Sequence, residues 1–139
     1  MEVLSVRKRI IVVCIVVIAV ISFFIINSNI GTKPFKNLEA NEIRSATVRL
    51  LPPDTSISLD HQEIISLVKI LNEIVIYKKD NSYTEYDGQA VIYTIPKIDG
   101  SEVVNCAYNP FLIINGIGYQ MKYIPCEKLN VLGNSIDKN

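Results

Sequence analysis

The chain has 139 residues, of which 49% are hydrophobic and 20% charged, with 14 basic and 14 acidic side chains. This length accommodates one compact domain beside one apolar segment. Eleven basic and thirteen acidic residues follow the apolar segment. A domain with this charge balance lacks the clustered basic face that nucleic acid requires, so we expect no nucleic-acid binding.

The apolar segment comprises residues 10–26, IIVVCIVVIAVISFFII, in which only Ser22 is polar. Seventeen helical residues span roughly 26 Å, close to the thickness of a hydrocarbon core of about 30 Å. The sequence therefore predicts a transmembrane helix over residues 10–26, with the membrane as its partner.

Residues 1–9 form a basic stub containing Arg7, Lys8 and Arg9. The positive-inside rule places this stub in the cytoplasm and the rest of the chain outside. The same order of residues fits a cleaved secretory signal, but the long run ends in bulky residues and no A-x-A-like site follows it. We therefore expect an uncleaved, single-pass anchor in the cell membrane.

Residues 27–36 are polar, with Gly31 and Pro34, which predicts a linker before a domain over residues 37–139. Residues 45–51 are rich in β-branched side chains and predict a strand, and residues 56–60 alternate as a short second strand does.

The main helix is predicted to begin after Asp60, because Glu63 completes a capping box. Ile64, Val68 and Leu71 then fall on one stripe, as expected for a helix packed on a sheet. Residues 74–77 are β-prone, so the helix is expected to end near residue 72 or 73.

Residues 78–88 have no aliphatic side chain and predict a surface excursion. Residues 89–98 and 102–108 predict two strands around an Asp-Gly turn, with Pro96 indicating a bulge or an edge. Residues 111–114 and 117–123 predict a hairpin around Asn-Gly, with one face buried and one wet. A short helix is expected from Pro125 to Leu132, ended by Gly133. The prediction is an α+β domain, with a main helix on a mostly antiparallel sheet of about five strands.

Cys106 and Cys126 have two interpretations. Outside the cytoplasm, a disulfide closing about twenty residues adds roughly 3 kcal/mol. The alternative is that both are small buried hydrophobic side chains that never meet. A metal site is not expected, because two thiols and the single histidine, His61, leave a tetrahedral shell incomplete.

Sequence motifs predict no catalytic residue and no cofactor, since G-x-S-x-G, H-E-x-x-H and glycine-rich phosphate loops are all missing from the sequence. We expect a non-enzymatic binding or regulatory domain. One alternative is an envelope enzyme, which a cleft enclosing His61 or Cys106 beside a carboxylate would favour. Another is a structural subunit paired through its apolar segment, although Ala19 and Ser22 are the only small residues there besides Cys14.

Tyrosines provide the functional hint. All seven lie between residues 77 and 123, and tyrosine combines a large contact area with a polar tip. Tyr83 and Tyr86 stand in the surface excursion, next to Glu85 and Asp87. We expect these four residues to bind an envelope protein or a glycan.

Three stretches also carry a family resemblance: SATVRLLPPD (45–54), DNSYTEYDGQAV (80–91) and AYNPFLIINGIGYQMKYIPCEKL (107–129). Together they cover about half of the domain. The chain resembles a family of small, membrane-anchored extracytoplasmic domains of unknown function from low-GC Gram-positive bacteria. The resemblance implies a domain outside the cytoplasm and transfers no site residue.

Overall fold

The computed structural model describes residues 2–136, and the side chains of residues 5–27 and 30–136. Its contacts divide the chain into two compact units, Met1–Gly31 and Thr32–Asn139. We describe each unit separately.

The first unit contains helix α1, Glu2–Asn29. Its apolar stretch Ser5–Asn27 has 23 residues, about 35 Å of helix, and extends beyond the predicted range 10–26 at both ends. Every side chain from residue 5 to residue 27 is exposed. Among the described residues, α1 alone is long and apolar enough to cross a membrane.

The second unit contains a seven-stranded sheet in which every neighbouring pair is antiparallel. In chain order the strands are β1 Thr47–Leu51, β2 Thr55–Ser58, β3 Ile76–Lys79, β4 Ala90–Pro96, β5 Glu102–Tyr108, β6 Phe111–Ile114 and β7 Ile117–Met121. Their order across the sheet is β2-β1-β4-β5-β6-β7-β3.

The α+β class is confirmed, but the sheet has seven strands rather than about five. Strand β2 overlaps the strand predicted over residues 56–60, whereas β3 overlaps the β-prone residues 74–77, which the sequence indicates only as the end of the main helix. Of the two interpretations of Pro96, the edge strand is wrong, because β4 lies between β1 and β5. The bulge agrees with a one-residue shift of register beside Pro96, since Thr47 pairs with Thr94 whereas Ile43 pairs with Lys97.

Two helices, α2 (His61–Glu73) and α3 (Tyr123–Ile136), pack against the sheet and against each other. The capping box of α2 is confirmed: Glu63 N donates to Asp60 Oδ1 at 2.8 Å, and Asp60 N donates to Glu63 Oε2 at 2.7 Å. Tyr93 of β4 is fully buried, and its hydroxyl donates to Leu129 O of α3 at 2.5 Å. The helices therefore cover the sheet face to which Tyr93 points.

Gly133 does not end α3, contrary to the prediction, because the helix continues to Ile136. A Cβ atom at Gly133 would lie 2.5 Å from Val91 Cγ1 and 3.2 Å from Val48 Cγ2. Glycine is therefore needed inside this helix because α3 approaches the sheet closely.

Candidate functional site

The surface excursion folds back over the sheet face opposite the helices. We call residues 80–88 the cover segment. Asp80 N donates to Gly118 O at 2.9 Å, and Gly118 N donates to Asn81 Oδ1 at 2.9 Å. Gln120 Nε2 also donates to Asp80 Oδ2 at 2.6 Å. These bonds attach the beginning of the cover segment to β7.

The tyrosines of the cover segment lie over Phe111 of β6. The ring centroids of Tyr83 and Tyr86 are 6.4 and 5.6 Å from that of Phe111, and the hydroxyl of Tyr108 donates to Tyr86 O. Phe111 and Gly118 are consequently buried. The sheet face predicted to be wet is therefore covered at this end.

A cleft of about 480 Å³ lies between the end of the cover segment and α3, and we call it the α3 cleft. The helix contributes Glu127, Asn130, Val131 and Asn134, whose spacing places them on one helical face. The facing wall includes Asp87, Gln89 and Asn109. A helix and two loop segments therefore form the cleft together.

Consecutive hydrogen bonds through side-chain amides connect the two walls of the α3 cleft. Asn134 Nδ2 donates to Gln89 Oε1 at 2.9 Å and to the backbone oxygen of Asn130 at 2.9 Å. Gln89 Nε2 in turn donates to Pro52 O at 3.0 Å. The walls are thus bonded to each other and to the loop after β1.

Two acceptors in the walls have no partner among the described residues. Asn109 Oδ1 and Asn130 Oδ1 are buried and accept no hydrogen bond. Buried polar atoms are nearly always paired, and leaving one unpaired costs about 1–3 kcal/mol. Asn105 is likewise unpaired, but it lies in the core beside Tyr93. Both oxygens lie beneath the surface of the α3 cleft, so a donor group in the cleft reaches them only when the amide side chains turn toward it.

The charged side chains that line the α3 cleft, Asp87 and Glu127, are both acidic. Its remaining polar lining consists of amides and the hydroxyls of Tyr86 and Tyr108. A complementary ligand therefore presents hydrogen-bond donors and is neutral or cationic.

An apolar groove adjoins this cleft between α2 and α3, with a volume of about 430 Å³. We call it the α2–α3 groove. Its lining includes Ile70, Ile124 and Leu132, and Ile124 is 67% exposed. Glu127 and Val131 line both cavities. The polar cleft and the apolar groove therefore form one continuous surface on α3.

The four residues predicted to bind a partner separate in the structure. Tyr86 and Asp87 line the α3 cleft, and Tyr86 is 56% exposed. Tyr83 packs on Phe111, and Glu85 is exposed at the end of the short 3-10 turn Ser82–Glu85. Their role in binding stays a prediction.

Sequence reasoning missed the contribution of α3. The available signal was the recurrence of Glu127, Asn130 and Asn134 once per helical turn. A periodic polar face ordinarily indicates solvent exposure, and only the position of the cover segment makes it one wall of a cleft.

Cys106 and Cys126 are both free thiols in the structure. Cys106 pairs in register with Ile92 and Ile113, on the sheet face away from the helices, whereas Cys126 lies in the core on α3. Burial raises the pKa of the Cys106 thiol to about 11 and that of Cys126 to about 12. Their pairing in a disulfide stays a prediction.

The other chemically versatile residue, His61, is exposed as the first residue of α2. Neither His61 nor Cys106 lines the α3 cleft or the α2–α3 groove. Among the side chains of residues 5–27 and 30–136, no group of three or more His, Cys, Asp or Glu is placed to hold a metal ion.

No family model matches this chain, and neither a curated protein nor a solved structure matches it. Function must therefore be argued from the geometry of the chain itself.

Proposed function

We propose that the protein is a single-pass membrane protein that displays a small, non-enzymatic binding domain outside the cytoplasm. The apolar helix α1 supports the anchor, and the basic residues 7–9 before its apolar core support a cytoplasmic N-terminus. The domain begins only a few residues after the apolar stretch in the chain, because Thr32 already exchanges backbone hydrogen bonds with Ile76 of β3.

The observation that carries the binding role is the continuous surface on α3, where the α3 cleft, lined by Asp87 and Glu127, joins the apolar α2–α3 groove at Val131. A ligand that also turns Asn109 or Asn130 toward it and donates to the unpaired Oδ1 removes a desolvation cost already present in the free protein. Amides, tyrosines and carboxylates are side chains that recognise a polar ligand through oriented hydrogen bonds. We therefore assign ligand recognition to the α3 cleft.

The topology is tested on intact cells that carry a tag after Asn139, treated with external protease. We expect the full-length chain in the membrane fraction and loss of the tag on proteolysis. A protected tag, with cell lysis restoring cleavage, would place the domain in the cytoplasm and refute this part of the proposal.

The binding site is tested by introducing a photo-crosslinking residue at Val131, in the cleft, or at Ile98, beyond the far end of β4. The two positions are matched, since Val131 is 58% and Ile98 63% exposed. We expect cross-links to an envelope component from Val131 and not from Ile98. Equal products from both positions, or none from either, would refute the assignment.

A further inference from the structure

We propose that the α3 cleft and the α2–α3 groove together bind an extended polypeptide segment that carries a basic residue and an apolar residue. This inference rests on the proposed function, because it names the ligand of the same site. Three features of the described residues support it: the spacing of the acceptors, the sign of the charge and the adjoining apolar groove.

The acceptors recur at the spacing of an extended backbone. Asn130 and Asn134 are one helical turn apart, about 6 Å along α3. On one side of an extended chain, backbone N–H groups recur every second residue, about 6.7 Å apart. Asn130 Oδ1 has no partner but lies beneath the cleft surface, so it accepts from such a peptide after its amide turns toward the cleft. A peptide lying along α3 then presents its N–H groups at nearly the spacing of these two amides.

Charge favours a basic side chain in that peptide. Asp87 and Glu127 line opposite walls of the cleft, and no basic residue is among its lining. A lysine or arginine between the walls forms charge-assisted hydrogen bonds, which are stronger than neutral ones. An acidic segment meets like charge instead.

The α2–α3 groove accommodates the apolar side chain. It is lined by Ile70, Ile124 and Leu132, and it joins the cleft at Val131. An apolar centre beside a polar rim is the usual anatomy of a protein interface. A segment that crosses Val131 therefore contacts both cavities.

A glycan fits these features less well. Sugar rings stack on a free aromatic face, but Tyr86 packs against Phe111, and the hydroxyl of Tyr108 already donates to Tyr86 O. The adjoining groove is also apolar, and a sugar gains little from filling it. The polypeptide is therefore the occupant that uses both cavities.

The test uses the full-length chain in detergent micelles and a phage-displayed library of random twelve-residue peptides. We expect the selected peptides to be enriched in lysine or arginine with an apolar residue nearby. A synthetic copy of the best peptide should bind with an affinity that falls as salt rises.

Three variants locate the binding site of that peptide. Asn130→Ala should weaken binding about tenfold, and Glu127→Gln should reduce the salt dependence. Val131→Lys places a positive charge between cleft and groove without disturbing the core, since Val131 is exposed, and should abolish binding of a basic peptide. The matched surface control Ile98→Lys should bind as the wild type does.

The inference is overturned if no peptide is enriched, or if Val131→Lys binds the selected peptide as tightly as Ile98→Lys does. It is also overturned if a tetramer of N-acetylglucosamine, tested in parallel, binds at the cleft while peptides do not. In that case cross-linking from Val131 still succeeds, so the binding role of the cleft stands while its polypeptide ligand is rejected.

Discussion

Replacing Gly118 by alanine should displace the cover segment from the sheet. A Cβ atom at Gly118 would lie 2.3 Å from Asp80 O and 2.7 Å from Tyr83 Cδ1. The first atom belongs to the backbone, and the second belongs to a ring that is packed on Phe111. Neither can shift alone, so the added methyl group has space only if the cover segment lifts from β7.

The magnitude follows from the bonds at risk. The backbone of Gly118 makes two hydrogen bonds with the cover segment, one with Asp80 and one with Asn81. Each bond contributes about 1 kcal/mol to the free energy of unfolding. Overpacking adds about 1–3 kcal/mol, and the preference of a strand for alanine over glycine offsets about 0.5–1 kcal/mol. We expect the free energy of unfolding to fall by about 2–4 kcal/mol.

Urea unfolding of the full-length chain in micelles measures this loss, followed by near-ultraviolet circular dichroism of tyrosine. The signal reports on the domain alone, because all seven tyrosines lie between residues 77 and 123 and the chain has no tryptophan. Gly88→Ala is the matched control: its Cβ would lie 3.7 Å from the Tyr108 hydroxyl, an ordinary contact. We expect the control to change stability by less than about 0.5 kcal/mol.

Equal urea midpoints for Gly118→Ala and Gly88→Ala would refute the packing of the cover segment on β7. Gly118→Ala also has a functional readout. Because the end of the cover segment forms one wall of the α3 cleft, Gly118→Ala should weaken ligand binding, whereas the surface variant Ile98→Lys, which lies outside the cleft, should retain it.

Three further predictions use the same unfolding assay. Asp60→Ala removes the capping box of α2 and should cost about 1 kcal/mol; no loss would mean that the cap adds nothing to the domain. Tyr93→Phe removes the buried hydroxyl that donates to a backbone oxygen of α3 at 2.5 Å and should cost about 1 kcal/mol, and an unchanged midpoint would contradict that bond. The pKa of Asp80 is lowered from its usual 3.8, chiefly by hydrogen bonds from Ser82 and then from Gln120. A lowered pKa in the folded state means that the carboxylate stabilises the fold above pH 3.8 and loses this effect as pH falls through the folded-state value. The wild type should therefore lose stability in that acidic range, and the loss should be smaller in Asp80→Asn; identical profiles would show that the carboxylate is uncoupled from folding.

The features that could be predicted from the sequence are those fixed by neighbouring residues. The capping box of Asp60 acts over three residues, and the turn at Asn115-Gly116 requires the positive φ angles that the two residues adopt, 48° and 84°. Both signals are complete within a few residues of chain. These elements were therefore predicted in type and close to their true bounds.

The features that were missed depend on partners far apart in the chain. Gly118 is glycine because of the cover segment, in which Asn81 Oδ1 accepts a hydrogen bond from Gly118 N, 37 residues away. Gly133 is glycine because of its close approach to Val91. A rule based on neighbouring residues predicts a helix end at Gly133, because such a rule does not include the contact between Gly133 and the strand beneath α3. The α3 wall of the cleft was missed for the same reason. Tyr86 and Asp87, which line the facing wall, were predicted as binding residues because their excursion has no aliphatic side chain, and that role stays a prediction.

The attachment of both walls explains how the α3 cleft retains unpaired acceptors. A free loop would rotate Asn109 toward water, and an isolated helix would do the same with Asn130. Here Gln89 and Asn134 bond the walls together, and Asp80 attaches the cover segment to β7. The walls of a site held in this way are ordered before binding, so a ligand loses affinity only to turning the two amides. Any ligand that supplies the missing donors should therefore raise the urea midpoint of the wild type in proportion to the logarithm of its concentration, and should raise that of Asn130→Ala much less.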